Sequence, residues 1–230
     1  MCMMKVLRDI KLDIREEQVK RYLVQGRGKK LTRRTRGTLL RSLDDCRHLL
    51  KPAVLYTAKP IVKAMNNSVV LKDNVSFSGR RLSRAMKKCT EATLYIATVG
   101  STFDATMQDL MRKKQLSRAY IYDAIGSVAA EETVELFQKA YDEKIEKKGQ
   151  STTLRFSPGY CDWSIEEQKK LFQVLDSRRI DVSLSSTCLM KPRKSVSGIF
   201  GIGNAEEIGK KRSNPCNSCT RNKCLVRRSD

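Results

Sequence analysis

The longest run of helical periodicity in this chain extends from Ser117 to about Lys147, with Tyr120, Ala124, Val128, Val134, Phe137 and Tyr141 among its apolar positions. It predicts one long helix, with Gly126-Ser127 as the expected point of any kink, against which the rest of the chain has to pack. The small residues Ala124, Gly126, Ser127, Ala129 and Ala130 make one segment of that helix thin. A thin segment admits a close approach, either by a neighbouring element or by a ligand.

The flanking sequence supplies both strands and helices. Lys5 to Asp13 alternates like a strand, and Arg15 to Val24 reads as an amphipathic helix closed by Gly26 and Gly28. A second helix is expected over residues 38–50, stopped by Pro52. Two β-rich runs, Val54 to Met65 and Ser68 to Phe77, flank Asn66-Asn67, a dipeptide that tolerates left-handed backbone angles, so a hairpin is expected. A basic helix over 80–89 follows, then the continuous apolar run of 93–100, TLYIATVG, as a buried strand, and a helix over 102–113. Beyond the long helix come a strand at 152–157, a helix at 164–177 and strands at 181–190 and 195–202. This mixture indicates an α+β fold with a mixed, largely antiparallel sheet and long helices. Residues 1–205 are read as a single domain, and 206–230 as a basic Cys-containing tail set off by Lys210-Lys211-Arg212.

Composition narrows the compartment and the partners. No stretch approaches the roughly 18 consecutive apolar residues of a membrane span, and the N-terminus alternates apolar and charged residues, so no membrane association and a cytoplasmic location are expected. The net charge is +21, with thirteen Lys or Arg against four acids in residues 1–41 and ten against three in residues 191–230. Such a field suits an anionic partner without identifying it. The single histidine, His48, has no second His or obvious carboxylate nearby in sequence and is read as a surface or packing residue.

The segment Arg155-Phe156-Ser157-Pro158-Gly159-Tyr160 puts a guanidinium at a strand end, then a Pro-Gly turn, then an aromatic. Gly159 lets the backbone come close to a ligand, and Arg155 offers a planar fork for a carboxylate. Taken alone, the same residues also describe a structural turn carrying a solvated charge.

RFSPGY, the amphipathic helix with Glu166, Glu167, Lys169, Lys170 and Leu171, and then LSSTCLMKPRKSVSGI resemble, in order and spacing, the activation domain of vitamin B12 (cobalamin)-dependent methionine synthase. The resemblance extends upstream through YIYDAIGSVAAEETVE. It implies an S-adenosylmethionine site lined by Arg155, Ser157, Pro158, Gly159 and Tyr160, with Arg155 on the methionine carboxylate. It also implies an acidic residue on the long helix, Glu131 or in a shifted register Glu135, and walls formed by Ser195, Ser197 and Gly198. The function it implies is an activation subunit that supports reductive methylation of cob(II)alamin on a partner methyltransferase, with an electron donor still to be identified. Two departures stand out. The family's N-terminal acidic ligand has no counterpart here, and IFGIGNAEEIGKKR replaces the family's aromatic-rich strand after SVSG.

Cys216, Cys219 and Cys224 follow C-x2-C-x4-C spacing, close enough to gather one metal ion or cluster. Cys161 and Cys188 are candidates for a fourth ligand. Iron–sulfur, zinc, reduced thiols and a redox disulfide all fit the spacing; an iron–sulfur cluster would supply the electron that reactivation needs. The alternative from another class is a basic nucleic-acid-binding protein with a C-terminal metal knuckle, for which aromatic residues are sparse at 6%.

Overall fold

The computed structural model describes residues 3–24 and 30–208. Strand β1 (Lys5–Leu7) and helices α1 (Glu16–Leu23) and α2 (Arg33–Cys46) lead into β2 (Ala53–Met65), β3 (Ser68–Leu71), β4 (Val75–Ser78) and α3 (Arg80–Met86). Strand β5 (Glu91–Thr98), α4 (Ser101–Arg112), α5 (Leu116–Glu146) and β6 (Gln150–Thr152) follow. The described residues continue through α6 (Gln168–Val174), β7 (Ser183–Leu184), β8 (Met190–Lys191), β9 (Ser195–Asn204) and α7 (Ala205–Ile208). No described helix is long and apolar enough to cross a membrane.

The main sheet has the order β4-β3-β2-β5-β9-β6 with β1 also on β2, and every pairing is antiparallel. The α+β expectation therefore holds, with the sheet wholly antiparallel among the described strands. Strand β5 lies at its centre and is buried along seven of its eight residues, which is why TLYIATVG reads as a continuous apolar run and not as an alternating one. Burying each large side chain there, such as Leu94 or Ile96, contributes about 1.5–3 kcal/mol.

Helix α5 is a single helix of 31 residues, with no break at Gly126-Ser127. Its thin segment is used for packing within the chain. A Cβ on Gly126 would lie 2.5 Å from a Phe103 ring carbon and 2.8 Å from Lys194 Cγ. Lys194 then reaches Ser127 Oγ at 2.9 Å and Asp123 at 2.8 Å.

Several local expectations shift. The N-terminal strand is limited to Lys5–Leu7, and α2 starts at Arg33 because the Thr32 hydroxyl accepts a hydrogen bond from the Thr35 N–H and caps it. The hairpin turns at Asn66 and Asn67, both at positive φ, but its second arm splits into β3 and β4 around Asp73 and Asn74, also at positive φ. Residues 181–190 do not form one strand. Asp181 and Cys188 adopt left-handed φ, and only the dipeptides β7 and β8 pair.

Candidate functional site

Helix α5 meets the sheet through an aromatic cluster. The Phe137 ring lies 4.8 Å from Tyr56 and 6.0 Å from each of Tyr95 and Phe200, centroid to centroid. Val134, Phe137 and Tyr141 form that apolar stripe. Beside it Glu131, Glu135, Gln138 and Asp142 recur at i, i+4, i+7 and i+11, so they form a second, polar stripe along one edge of the helix.

The segment after β6 runs along this polar edge and is held on its other side by β9. Thr153 N–H donates to the Gly201 carbonyl, and Phe156 and Ile199 exchange two backbone hydrogen bonds of 2.9 Å. Arg155 lies between them and projects to α5. Its Nη1 donates to Gln138 Oε1 at 3.0 Å and pairs with Glu135 Oε2 at 2.9 Å. Gln138 is fully buried, and its Nε2 donates to Thr152 Oγ1 at 2.8 Å and to the Thr153 carbonyl at 3.0 Å. Thr152 Oγ1 in turn donates to Asp142 at 2.6 Å. All donors in this chain point one way, from Arg155 to Asp142, so the amide orientation of Gln138 follows from its neighbours. The Arg155 side chain is only 14% exposed and that of Glu135 is 49% exposed, so the ion pair opens to solvent on its acidic side.

The turn that follows is tightly built. Tyr160 N–H donates to the Ser157 carbonyl, Trp163 N–H to the Tyr160 carbonyl, and Gly159 N–H to the Trp163 carbonyl at 2.8 Å. Gly159 sits at φ +88°, a conformation that favours glycine, and a Cβ there would also come within 3.2 Å of Ile165. Pro158 is buried, whereas Tyr160 is 60% exposed. The turn is tied to the far end of the sheet by Asp162, whose carboxylate accepts the N–H groups of Arg80 and Arg81 at the start of α3.

Tyr95 stands behind the turn, fully enclosed. Burial pushes its phenol up to about 12 against the opposing pull of the Arg155 charge and a hydrogen bond with the Ser157 side chain, while the Glu131 carboxylate adds to the rise. Gly198 faces Tyr95 across β5 and β9, and a Cβ there would lie 2.5 Å from both the Tyr95 hydroxyl and the Phe156 carbonyl oxygen.

The structure therefore gathers Arg155, Ser157, Pro158, Gly159, Tyr160 and Gly198 into one region flanked by the acidic edge of α5. Glu135 meets Arg155, and Glu131 lies one turn earlier on the same stripe, exposed. Ser197 is buried opposite Ile96. Ser195 lies three residues from Gly198, about 10 Å along the strand, and its hydroxyl is taken up by Thr98 and the Pro192 carbonyl. Gln138, Asp142 and Tyr95 belong to this region and were not singled out in the sequence.

Cys216, Cys219 and Cys224 lie outside the described residues. Cys161 is exposed near Arg81, and Cys188 is buried near Glu166. Among the described residues no group of three or more His, Cys, Asp or Glu side chains is placed to hold a metal ion.

The family described as "Vitamin B12 dependent methionine synthase, activation domain" matches residues 86–208, more than half of the chain. A solved structure, "Crystal Structure of the MetH Reactivation Domain bound to AdoHcy", aligns at 14% identity with a TM-score of 0.62, covering 86% of this chain and 78% of that one. At that identity the likeness establishes a shared fold. No curated protein matches the sequence.

Proposed function

Because this chain belongs to the family of vitamin B12-dependent methionine synthase activation domains, we propose that it binds S-adenosylmethionine beside Arg155 and supports reductive methylation of a cobalamin carried by a partner methyltransferase. The Arg155–Glu135 pair at 2.9 Å carries this reading. The amino-acid end of the ligand presents a carboxylate and an ammonium on one carbon, and the pair offers the complementary charges side by side. Arg155 takes the carboxylate through its planar fork, and Glu135 takes the ammonium. Glu131, one turn away, places a second negative charge toward the sulfonium.

The relay through Gln138 and Thr152 fixes the guanidinium before the ligand arrives, which lowers the ordering cost of binding. Ser157, Pro158 and Gly159 set the course of the backbone, and exposed Tyr160 offers an aromatic face to a cation or to a flat corrin ring. Ser197 and Gly198 support the turn from behind, since Gly198 is what lets Tyr95 and Phe156 close against it. Ser195 holds the start of the same strand. Bound S-adenosylmethionine supplies the methyl group, and the partner's cobalamin supplies the cobalt that receives it. The role of this chain is to hold and orient the ligand.

Residues 1–205 serve as the activation-like domain and 206–230 as a basic appendage, in a cytoplasmic protein that works with a separate electron donor. In the same reading, Cys216, Cys219 and Cys224 would hold an iron–sulfur cluster, which would supply one-electron chemistry. Anaerobic reconstitution with iron and sulfide, compared with the triple Cys-to-Ser variant, tests that part; colourless protein holding stoichiometric zinc would remove it. For the ligand site, S-adenosylmethionine is titrated calorimetrically into the wild type and Arg155→Ala. Heat from the wild type that vanishes in the variant is expected, and no heat from the wild type refutes the proposal.

A further inference from the structure

At the other end of α5 a different surface opens. Arg118 lies seventeen residues before Glu135, about 25 Å away along the helix axis, so nothing there overlaps the Arg155 region. Between α2 and the first turns of α5 runs an open groove of about 1090 Å³. Leu23, Leu31 and Ile121 give it a carbon floor, and Tyr120, 51% exposed, stands at its edge.

The walls carry charge in a definite arrangement. Arg34, Thr38, Arg41 and Asp45 recur along α2 at i, i+4, i+7 and i+11, so they share one face that lines the groove. Toward the C-terminal end of α2 the charges cancel: Arg118 pairs with Asp45 at 3.2 Å, and Arg47 with Asp44 at 3.6 Å. Arg34 and Arg41 are exposed, and neither has an ion-pair partner among the described residues. They stand two helical turns apart, about 10 Å, which matches the spacing of two carboxylates on one face of a facing helix.

We propose that this groove is a docking surface for an acidic amphipathic helix of a partner protein. Its occupant would lay apolar side chains on Leu23, Leu31 and Ile121 and set carboxylates against Arg34 and Arg41. Nucleic acid fits less well. With Asp44 and Asp45 paired, the groove offers two separate cations, Arg34 and Arg41, and not the continuous cationic track that a phosphate backbone follows, and Tyr120 is its one aromatic residue among the described lining residues where stacking platforms use several.

The probe is a fluorescein-labelled helical peptide of Glu, Ala and Leu with leucines at i, i+3, i+4 and i+7, followed by fluorescence anisotropy. Expected are saturable binding that weakens with salt, a loss of about tenfold in affinity for Arg34→Glu/Arg41→Glu, and weaker binding of a scrambled peptide of equal composition. Far-UV circular dichroism confirms that the exposed double variant is folded. Leu31→Ser, which alters the floor and leaves the charges alone, should also weaken binding. Absence of peptide binding, binding indifferent to the charge reversal, or single-stranded DNA binding more tightly than the peptide and lost in the same variant would overturn the proposal.

Discussion

Replacing Gln138 with Leu keeps most of the volume of a fully buried side chain and deletes its three hydrogen bonds. The Thr153 carbonyl loses a donor in an interior position, and the Arg155 guanidinium loses its neutral acceptor while keeping Glu135. A neutral hydrogen bond contributes about 0.5–1.5 kcal/mol and one to a charged group about 1.5–3 kcal/mol, with a further cost for a buried group left unpaired. Because these terms overlap, the variant should lose about 2–4 kcal/mol. For a domain of this size that lowers Tm by roughly 5–15 °C. Urea unfolding followed by circular dichroism measures the loss directly. Affinity for S-adenosylmethionine should fall about tenfold, or 1.4 kcal/mol, because Arg155 loses one of its two anchors on α5. An unfolding free energy within about 0.5 kcal/mol of the wild type, with unchanged ligand affinity, would show that the relay does not organise the site.

Gly198→Ala should destabilise by about 1–3 kcal/mol, since the new methyl meets the Phe156 carbonyl and the Tyr95 hydroxyl at 2.5 Å; thermal melts read this, and an unchanged Tm would contradict the packing. Gly126→Ala gains about 0.5–1 kcal/mol of helix propensity but collides with the buried Phe103 ring, so a net loss in chemical denaturation is expected. Asp162→Ala removes the acceptor for two N–H groups at the start of α3 and should cost about 0.5–2 kcal/mol, measured the same way. Burial pushes Cys46 up to about 12 and Cys89 up to about 11 from an ordinary 9.0, and Tyr95 up to about 12 from 10.0. The native state thus retains protons that the unfolded chain gives up, so stability is complete below pH 9.0 and declines as pH rises toward 11 and above. Urea midpoints that stay level across that range would contradict it.

Much of this architecture was legible because it follows from periodicity. The long helix, the buried run of β5 and the Asn66-Asn67 turn each carry a local signal strong enough to survive tertiary context. The 181–190 region was not legible, since its apolar and β-branched residues favour a strand while left-handed backbone at Asp181 and Cys188 interrupts one. At the candidate site, Arg155 and Gly159 were singled out by the family resemblance, since the residues alone also describe a structural turn. Gln138 was hidden because a lone amide on a helix carries no chemical signal; only the polar stripe from Glu131 to Asp142 could have pointed to it. The pairing of Glu135 with Arg155 emerges only once the segment after β6 is laid against α5, because register between distant segments is not written in either one.

The antiparallel pairing of β2 with β5 has a consequence for where this protein can be cut. The family match begins at residue 86, within α3 and before β5, while β2 holds β5 through eight paired residues from Ala53–Thr98 to Pro60–Glu91. A fragment starting at the match would turn the most apolar strand of the sheet into a bare edge, open to pairing between copies. It would also free the Asp162 carboxylate that steadies the turn after Arg155. The unit defined by family resemblance is thus smaller than the unit that can fold, and expression boundaries should enclose β1 through β4 even when only the ligand site is of interest.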